Sequence, residues 1–173
     1  SLDLFKQIID QVEGKIGFIT MASRGEPLLA KDLPKMLGYT NGKFLTVKLN
    51  TNASLLNEKM VHSILSSGIN TVVFSADAAE EKLYSRLRVN GSLNKTLKNI
   101  EMFQKIREKQ YPDAKIITRV SGVMYKPEEQ NIASLKNLWG PLVDQVAFVN
   151  YTPWENIYKV EPNNIKEPCS DLW

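Results

Sequence analysis

Five short runs rich in β-branched and aromatic residues punctuate the chain, at residues 15–21, 44–49, 71–75, 115–120 and 145–150. Between them the apolar positions recur at helical spacing, over residues 28–37, 57–65, 79–109 and 127–139. An opening helix over residues 2–12 keeps Leu2, Phe5, Ile8 or Ile9, and Val12 to one side. The order is therefore α(βα)4β, with strand starts spaced like βαβ units and one long interval that holds an extended or broken helix. Punctuation agrees: Gly68 and Gly140 sit where helices end, Gly42 marks a turn, Asn57 and Ser92 suit N-caps, and Pro127 suits a first helical turn.

Such alternation predicts an α/β fold on a parallel sheet of about five strands, which either opens with helices on both faces or curls into a barrel with helices outside only. Periodicity does not separate the two. Both put chemistry at the carboxyl ends of the strands, where this chain carries Ser23-Arg24-Gly25-Glu26-Pro27, Asn50-Thr51-Asn52-Ala53, Ser75-Ala76-Asp77-Ala78, Ser121-Gly122 and Asn150-Tyr151. Beyond residue 154 the periodicity stops and Pro162, Pro168 and an Asn163-Asn164 pair appear, so a core over 1–154 is followed at 155–173 by a connection toward a C-terminal extension.

Composition narrows the classes. With 173 residues, 43% hydrophobic and 24% charged, the chain has material for one core and no disorder signature. No apolar run approaches a membrane span and the N-terminus lacks a leader pattern, so we expect a cytoplasmic protein. The net charge of +3 is uneven: eleven Lys or Arg against three acids lie between Lys82 and Lys126. A nucleic-acid surface is one reading of this stretch. A solvated helix face is the other, favoured by the Glu101–Lys105 spacing and the lack of interleaved aromatics.

Among the strand-end residues, Glu26 offers a carboxylate to an ammonium group beside a glycine that lets backbone approach a ligand; equally, Glu26-Pro27 could simply start a helix. Asn50, Thr51, Asn52, Ser75 and Asp77 have short polar arms suited to ribose hydroxyls or a carboxylate, or to Asx-turns and caps. Arg88 and Arg119 could neutralise a carboxylate, or lie on the surface. The lone His62 falls mid-helix and reads as structural, and neither a His pair, a Walker-type loop nor a Gly-x-Gly-x-x-Gly motif is present. One cysteine, Cys169, excludes an internal disulfide framework.

Taken in order, Arg24-Gly25-Glu26-Pro27-Leu28, Leu49-Asn50-Thr51-Asn52-Ala53, Val73-Phe74-Ser75-Ala76-Asp77 with Tyr84 and Arg88, and Pro168-Cys169-Ser170-Asp171 resemble the radical S-adenosylmethionine (radical SAM) enzymes, in the branch with a SPASM or twitch extension. The resemblance implies a partial (βα)6 barrel in which a 4Fe-4S cluster on a CxxxCxxC loop cleaves S-adenosylmethionine to a 5′-deoxyadenosyl radical that abstracts substrate hydrogen. It implies that Gly25 and Glu26 hold the methionine amino group, that Ser75 and Asp77 lie near the ribose or the methionine carboxylate, that Arg88 binds the carboxylate, and that Asn150 and Tyr151 flank adenine. Asn52 and Arg119 complete the expected S-adenosylmethionine set. Arg24 stands where the family has glycine, and Ala53 where it usually has glycine after Thr-Asn.

The cluster cysteines are missing, and so is the first barrel strand. The resulting expectation is a core segment of a radical SAM enzyme, inactive in isolation, that begins after the cluster loop and ends at Cys169, a ligand to an auxiliary Fe–S site only in the parent protein. The alternative is a cluster-free degenerate barrel that binds a nucleotide or a protein. The expected partners are S-adenosylmethionine and a peptide, sugar or cofactor-precursor substrate, with self-association through the exposed edge of the first strand.

Overall fold

The computed structural model describes residues 1–22 and 25–151. Helix α1 (Leu2–Val12) starts at Ser1, whose hydroxyl accepts from the Leu4 N–H at 3.3 Å. Strand β1 (Phe18–Met21) follows. The helical pattern at residues 28–37 resolves into a 3-10 turn, Pro27–Leu29, and then α2 (Leu33–Thr40). Proline 34 explains the correction, because inside one continuous helix it would remove a hydrogen bond and clash with the preceding turn, whereas at the start of α2 it does neither.

Strand β2 (Thr46–Thr51) leads to α3 (Glu58–Leu65), capped by the Asn57 side chain on the Met60 N–H at 2.9 Å, and then to β3 (Thr71–Ser75). The long interval is a broken helix, α4 (Glu81–Leu87) and α5 (Leu93–Gln110). Between them Asn90 adopts φ +63°, and Gly91 turns so tightly that a Cβ would stand 2.8 Å from the Arg88 carbonyl. Helix α5 is capped twice, by Ser92 on the Lys95 N–H and by the Glu81 carboxylate on the N–H groups of Leu93 and Asn94. After β4 (Ile117–Met124), helix α6 (Ile132–Trp139) begins at the Asn131 cap instead of at Pro127, and β5 (Gln145–Asn150) closes the described chain.

The sheet order is β1-β2-β3-β4-β5 and every pairing is parallel. Each crossover therefore joins adjacent strands, and crossovers of one hand put all the helices on one face. That removes the doubly wound option: the architecture is an incomplete parallel α/β barrel. Burial alternates accordingly. Val47, Leu49, Val72, Phe74, Thr118 and Val120 point into a core shared with Leu37, Ile64, Ile100 and Phe103 of the helices. The Phe74 and Phe103 rings meet edge-to-face at 5.4 Å, an arrangement that contributes about 0.5–1.5 kcal/mol beyond the burial itself.

The opposite, helix-free face is polar across its middle. In register, one row holds Thr20, Lys48, Thr71 and Ile117, the next Asn50, Val73, Arg119 and Gln145, and the next Ser75, Ser121 and Ala147. A closed barrel core would fill such positions with branched apolar side chains. No helix among the described residues is long and apolar enough to cross a membrane.

Candidate functional site

The strand ends are joined by side chains, not by backbone ladders alone. After β1, Gly25 takes φ +123°, and a Cβ there would meet nothing within 4 Å, so glycine is required by conformation and not by crowding. The Glu26 carboxylate that follows is a staple between two strand ends. One oxygen accepts from the Thr51 hydroxyl at 2.6 Å and from the Leu28 N–H at 3.1 Å, and the other accepts from the Asn52 N–H at 2.8 Å. Glu26 thus caps the Pro27–Leu29 turn and clamps the end of β2, which leaves little of its carboxylate for a ligand. The Asn52 side chain closes an Asx-turn on the Ser54 N–H at 2.9 Å. Ala53, fully buried, holds φ +60°, the conformation for which glycine is the usual residue.

One strand over, Ser75 ends β3 opposite Ser121. Two residues on, Asp77 organises the next loop. One carboxylate oxygen accepts from the Val123 N–H at 2.8 Å, and the other pairs with the Arg88 guanidinium at 2.8 Å; the side chains are 14% and 25% exposed, so the pair is largely shielded from water. The Arg88 Nε is buried and has no hydrogen-bond partner among the described residues. An orphaned guanidinium N–H beside an anchored carboxylate is a donor waiting for an acceptor.

Gln130, which sequence reasoning did not single out, holds this loop from behind. It is 1% exposed; its amide donates to the carbonyls of Asp77 and Val123 at 2.7 Å each, and its carbonyl accepts from the Lys126 N–H at 2.8 Å. Trp139, fully buried, adds a bond from its indole N–H to the Ala78 carbonyl at 3.3 Å. The available signal was a polar residue two positions before the first apolar position of a helix, which reads as a solvated turn.

Asn150 ends β5 exposed, on the parity of the helix-covered residues Val146 and Phe148. Tyr151 turns the other way and meets Tyr125 edge-to-face at 5.0 Å. Arg119 is not brought to the strand ends: it stands one inward-facing row below Ser75, with its Nε and Nη2 donating to Gln145 Oε1 at 2.9 and 2.5 Å. His62 bonds the Tyr111 hydroxyl at 3.0 Å on the helical layer, in keeping with a structural role. Cys169 lies outside the described residues.

A cavity of about 640 Å³ opens at the other end of the sheet, between α5 and residues 141–144. Three of its polar side chains, Gln104, Arg107 and Asp144, already serve the fold. Asp144 accepts from the Thr118 N–H, the Thr118 hydroxyl and Arg107 at 2.7–2.9 Å. Burial pushes the Asp144 carboxyl up, but these donors outweigh it and hold the group below the usual carboxylate range. In sheets of this kind, chemistry belongs to the carboxyl ends of the strands.

The profile of the radical SAM superfamily matches residues 1–132, and the chain belongs to that superfamily. Its relatives include the AdoMet-dependent heme synthase of Methanosarcina barkeri, 31% identical over 104 residues, which cover 60% of this chain and 30% of that protein. A probable GTP 3′,8-cyclase of Methanococcus maripaludis is 34% identical over 80 residues, covering 46% of this chain and 27% of that one. Among solved structures, Streptococcus suis SuiB bound to S-adenosylmethionine superposes with a TM-score of 0.71 at 19% identity, over 91% of this chain and 35% of that chain. TYW1 with a lysine-pyruvate adduct bound gives 0.60 at 17%, over 88% and 52%. The chain thus spans under a third of the length of these two curated relatives, and the structural likenesses establish the radical SAM fold.

The superfamily uses S-adenosylmethionine and an iron–sulfur cluster, and the described residues suit the two differently. The orphaned Arg88 Nε and the left-handed Gly25 backbone fit a ligand with a carboxylate and an ammonium group. For the cluster, no group of three or more His, Cys, Asp or Glu residues that could hold a metal ion exists among the described residues.

Proposed function

We propose that the ends of β1 to β5 form the S-adenosylmethionine site of a radical SAM enzyme. The observation that carries this reading is the buried, partnerless Arg88 Nε beside Asp77. Bound S-adenosylmethionine supplies a 5′-deoxyadenosyl radical when it is reductively cleaved. The residues of this chain bind and orient. Gly25 offers backbone to the methionine amino group, Arg88 meets the carboxylate through its free edge, and Ser75 and Asn52 face the ribose. Asp77 serves as the anchor that fixes Arg88, because both of its oxygens are engaged. Backbone atoms of Asn150 and Tyr151 border the adenine, with the Tyr151 ring braced by Tyr125. Three cluster thiolates cannot come from the single cysteine of this sequence, so in this reading the 173-residue chain alone binds the cofactor without turning it over.

The test is titration of the isotope-labelled 173-residue chain with S-adenosylmethionine, followed by amide chemical shifts. Saturable changes at Gly25, Asn52, Ser75 and Asp77 are expected, and Arg88→Gln should weaken binding by about 10- to 100-fold, the worth of a charge-assisted hydrogen bond of about 1.5–3 kcal/mol. Absence of binding at millimolar ligand, or shifts confined to the α5 face, would overturn the reading. Adenosine binding as tightly as S-adenosylmethionine would favour a cluster-free nucleotide-binding module.

A further inference from the structure

The helix-free face of the sheet carries two cations that the strand-end site does not use. Lys48 lies on β2 between Val47 and Leu49, which are buried against the helices, so its side chain emerges on the opposite, concave face. Arg119 lies on β4 between Thr118 and Val120, both fully buried, and emerges on the same face. Register puts Lys48 level with Thr71, and Arg119 level with Val73 one inward row higher. Two strand spacings and one two-residue step separate their Cα atoms by about 12 Å, close enough for two long side chains to reach one small group. Neither forms an ion pair among the described residues. Of the carboxylates at the described strand ends, Asp77 is paired with Arg88 and Glu26 is taken up by Leu28, Thr51 and Asn52, so neither offsets Lys48 or Arg119 by an ion pair.

Two further features mark the patch as arranged. The Arg119 guanidinium is oriented by Gln145, whose side-chain oxygen takes both Nε and Nη2; a neutral partner fixes the direction of the fork and leaves its charge uncompensated. Asn50 shares the row of Arg119 and Gln145, and its Oδ1 is buried with no hydrogen-bond partner among the described residues. A buried acceptor without a donor calls for an N–H or O–H from outside.

We propose that this wall is the substrate-recognition surface and that the substrate carries an anionic group, a carboxylate or a phosphate, held between Lys48 and Arg119, with a hydrogen-bond donor beside it for Asn50. The inference rests on the strand ends being the cofactor site, since it gives the substrate the chamber below them. It also removes Arg119 from the cofactor set. Gln145 is a positioning residue that acts through Arg119.

The experiment uses the labelled 173-residue chain with inorganic pyrophosphate and succinate as separate probes, against sodium chloride at matched ionic strength. Saturable shifts are expected at the amides of Lys48, Asn50 and Arg119 and at the Arg119 Nε–H, and tighter binding of one probe identifies the anion as phosphate or carboxylate. Lys48→Met and Arg119→Gln should each weaken the probe at least fivefold. Gln145→Glu, which sets a carboxylate against the guanidinium with almost no change of shape, should do the same while the chain stays folded. Arg119→Gln should leave S-adenosylmethionine affinity within twofold. Probe shifts spread over the α5 lysines, or binding indifferent to Gln145→Glu, would overturn the proposal. Displacement of the probe by S-adenosylmethionine together with a tenfold loss of cofactor affinity in Arg119→Gln would return Arg119 to the cofactor. Failure of cofactor binding alone, with the wall still taking the probe, would count against the strand-end reading only.

Discussion

Replacing Gln130 tests whether the loop that carries Asp77 is held from behind. The Gln130 amide bridges two carbonyls, Asp77 and Val123, and its oxygen takes the Lys126 N–H, all within 2.8 Å and 1% exposed. Gln130→Leu keeps the volume and deletes all three bonds. At about 0.5–1.5 kcal/mol net for each of the three bonds, the loss should be about 2–4 kcal/mol. With a urea slope of about 2 kcal/mol/M, the midpoint falls by roughly 1–2 M. Gln130→Glu sharpens the test. At neutral pH its carboxylate would oppose two carbonyl oxygens that now receive a donor, so it should be less stable than the leucine variant. The neutral acid has a proton to donate, so its deficit should shrink as pH falls through the carboxylate range. Urea unfolding followed by circular dichroism at pH 7 and pH 4.5 measures both. A loss under about 1 kcal/mol for Gln130→Leu, or a glutamate variant as stable as the parent at pH 7, would refute the reasoning.

Three further outcomes follow from the same structure. Asp144 is held below the usual carboxylate range, so the folded state binds its proton less readily than the unfolded chain: its contribution is complete above that range and lost as pH falls through the lowered value, and Asp144→Asn should be less stable at pH 7 yet lose less on acidification in pH-dependent urea melts. A Cβ at Gly122 would stand 2.3 Å from the Ala76 carbonyl oxygen and 2.9 Å from the Phe148 ring, so Gly122→Ala should destabilise by about 1–3 kcal/mol, and an unchanged thermal midpoint would contradict that contact. Strand β1 is a sheet edge among the described residues with Phe18 69% exposed, so concentration-dependent self-association is expected in sedimentation, and a strict monomer at high concentration would argue against it.

The strands were legible because each is a short β-branched or aromatic run with turn residues at both ends, and α1 because its apolar stripe is unbroken. Prolines account for both displaced helix starts, one through a residue left unread and one through a residue read as a start. Pro34 moved a helix start forward and Pro127 failed to start one, because the Asn131 side chain offers a real cap where Pro127 offers only a permitted φ. The choice between the two sheet closures required knowing which faces the helices cover, which depends on contacts between distant elements. At the site, sequence could say that Glu26 and Asp77 sit at strand ends. It could not say that their oxygens are consumed by Thr51, Asn52, Val123 and Arg88, since each bond spans many residues of chain. Gln130 and Gln145 were missed for the same reason: their meaning lies in what they touch.

Among the described residues every strand's hydrogen-bonded neighbours are also its neighbours in sequence, so the sheet can form in the order in which the chain is made. A chain made from its N-terminus can add one strand and one helix at a time to an existing edge, with no step that waits for a distant segment. The slowest addition should be β4. Its pairing with β3 closes twice as much chain, Thr71 to Ile117, as the pairing of Lys48 with Thr71 does, a difference of only about 0.6 kcal/mol in closure entropy. Glu81, by fastening α4 to the start of α5, shortens that loop before β4 arrives. Synthesis and folding can then advance along the chain together.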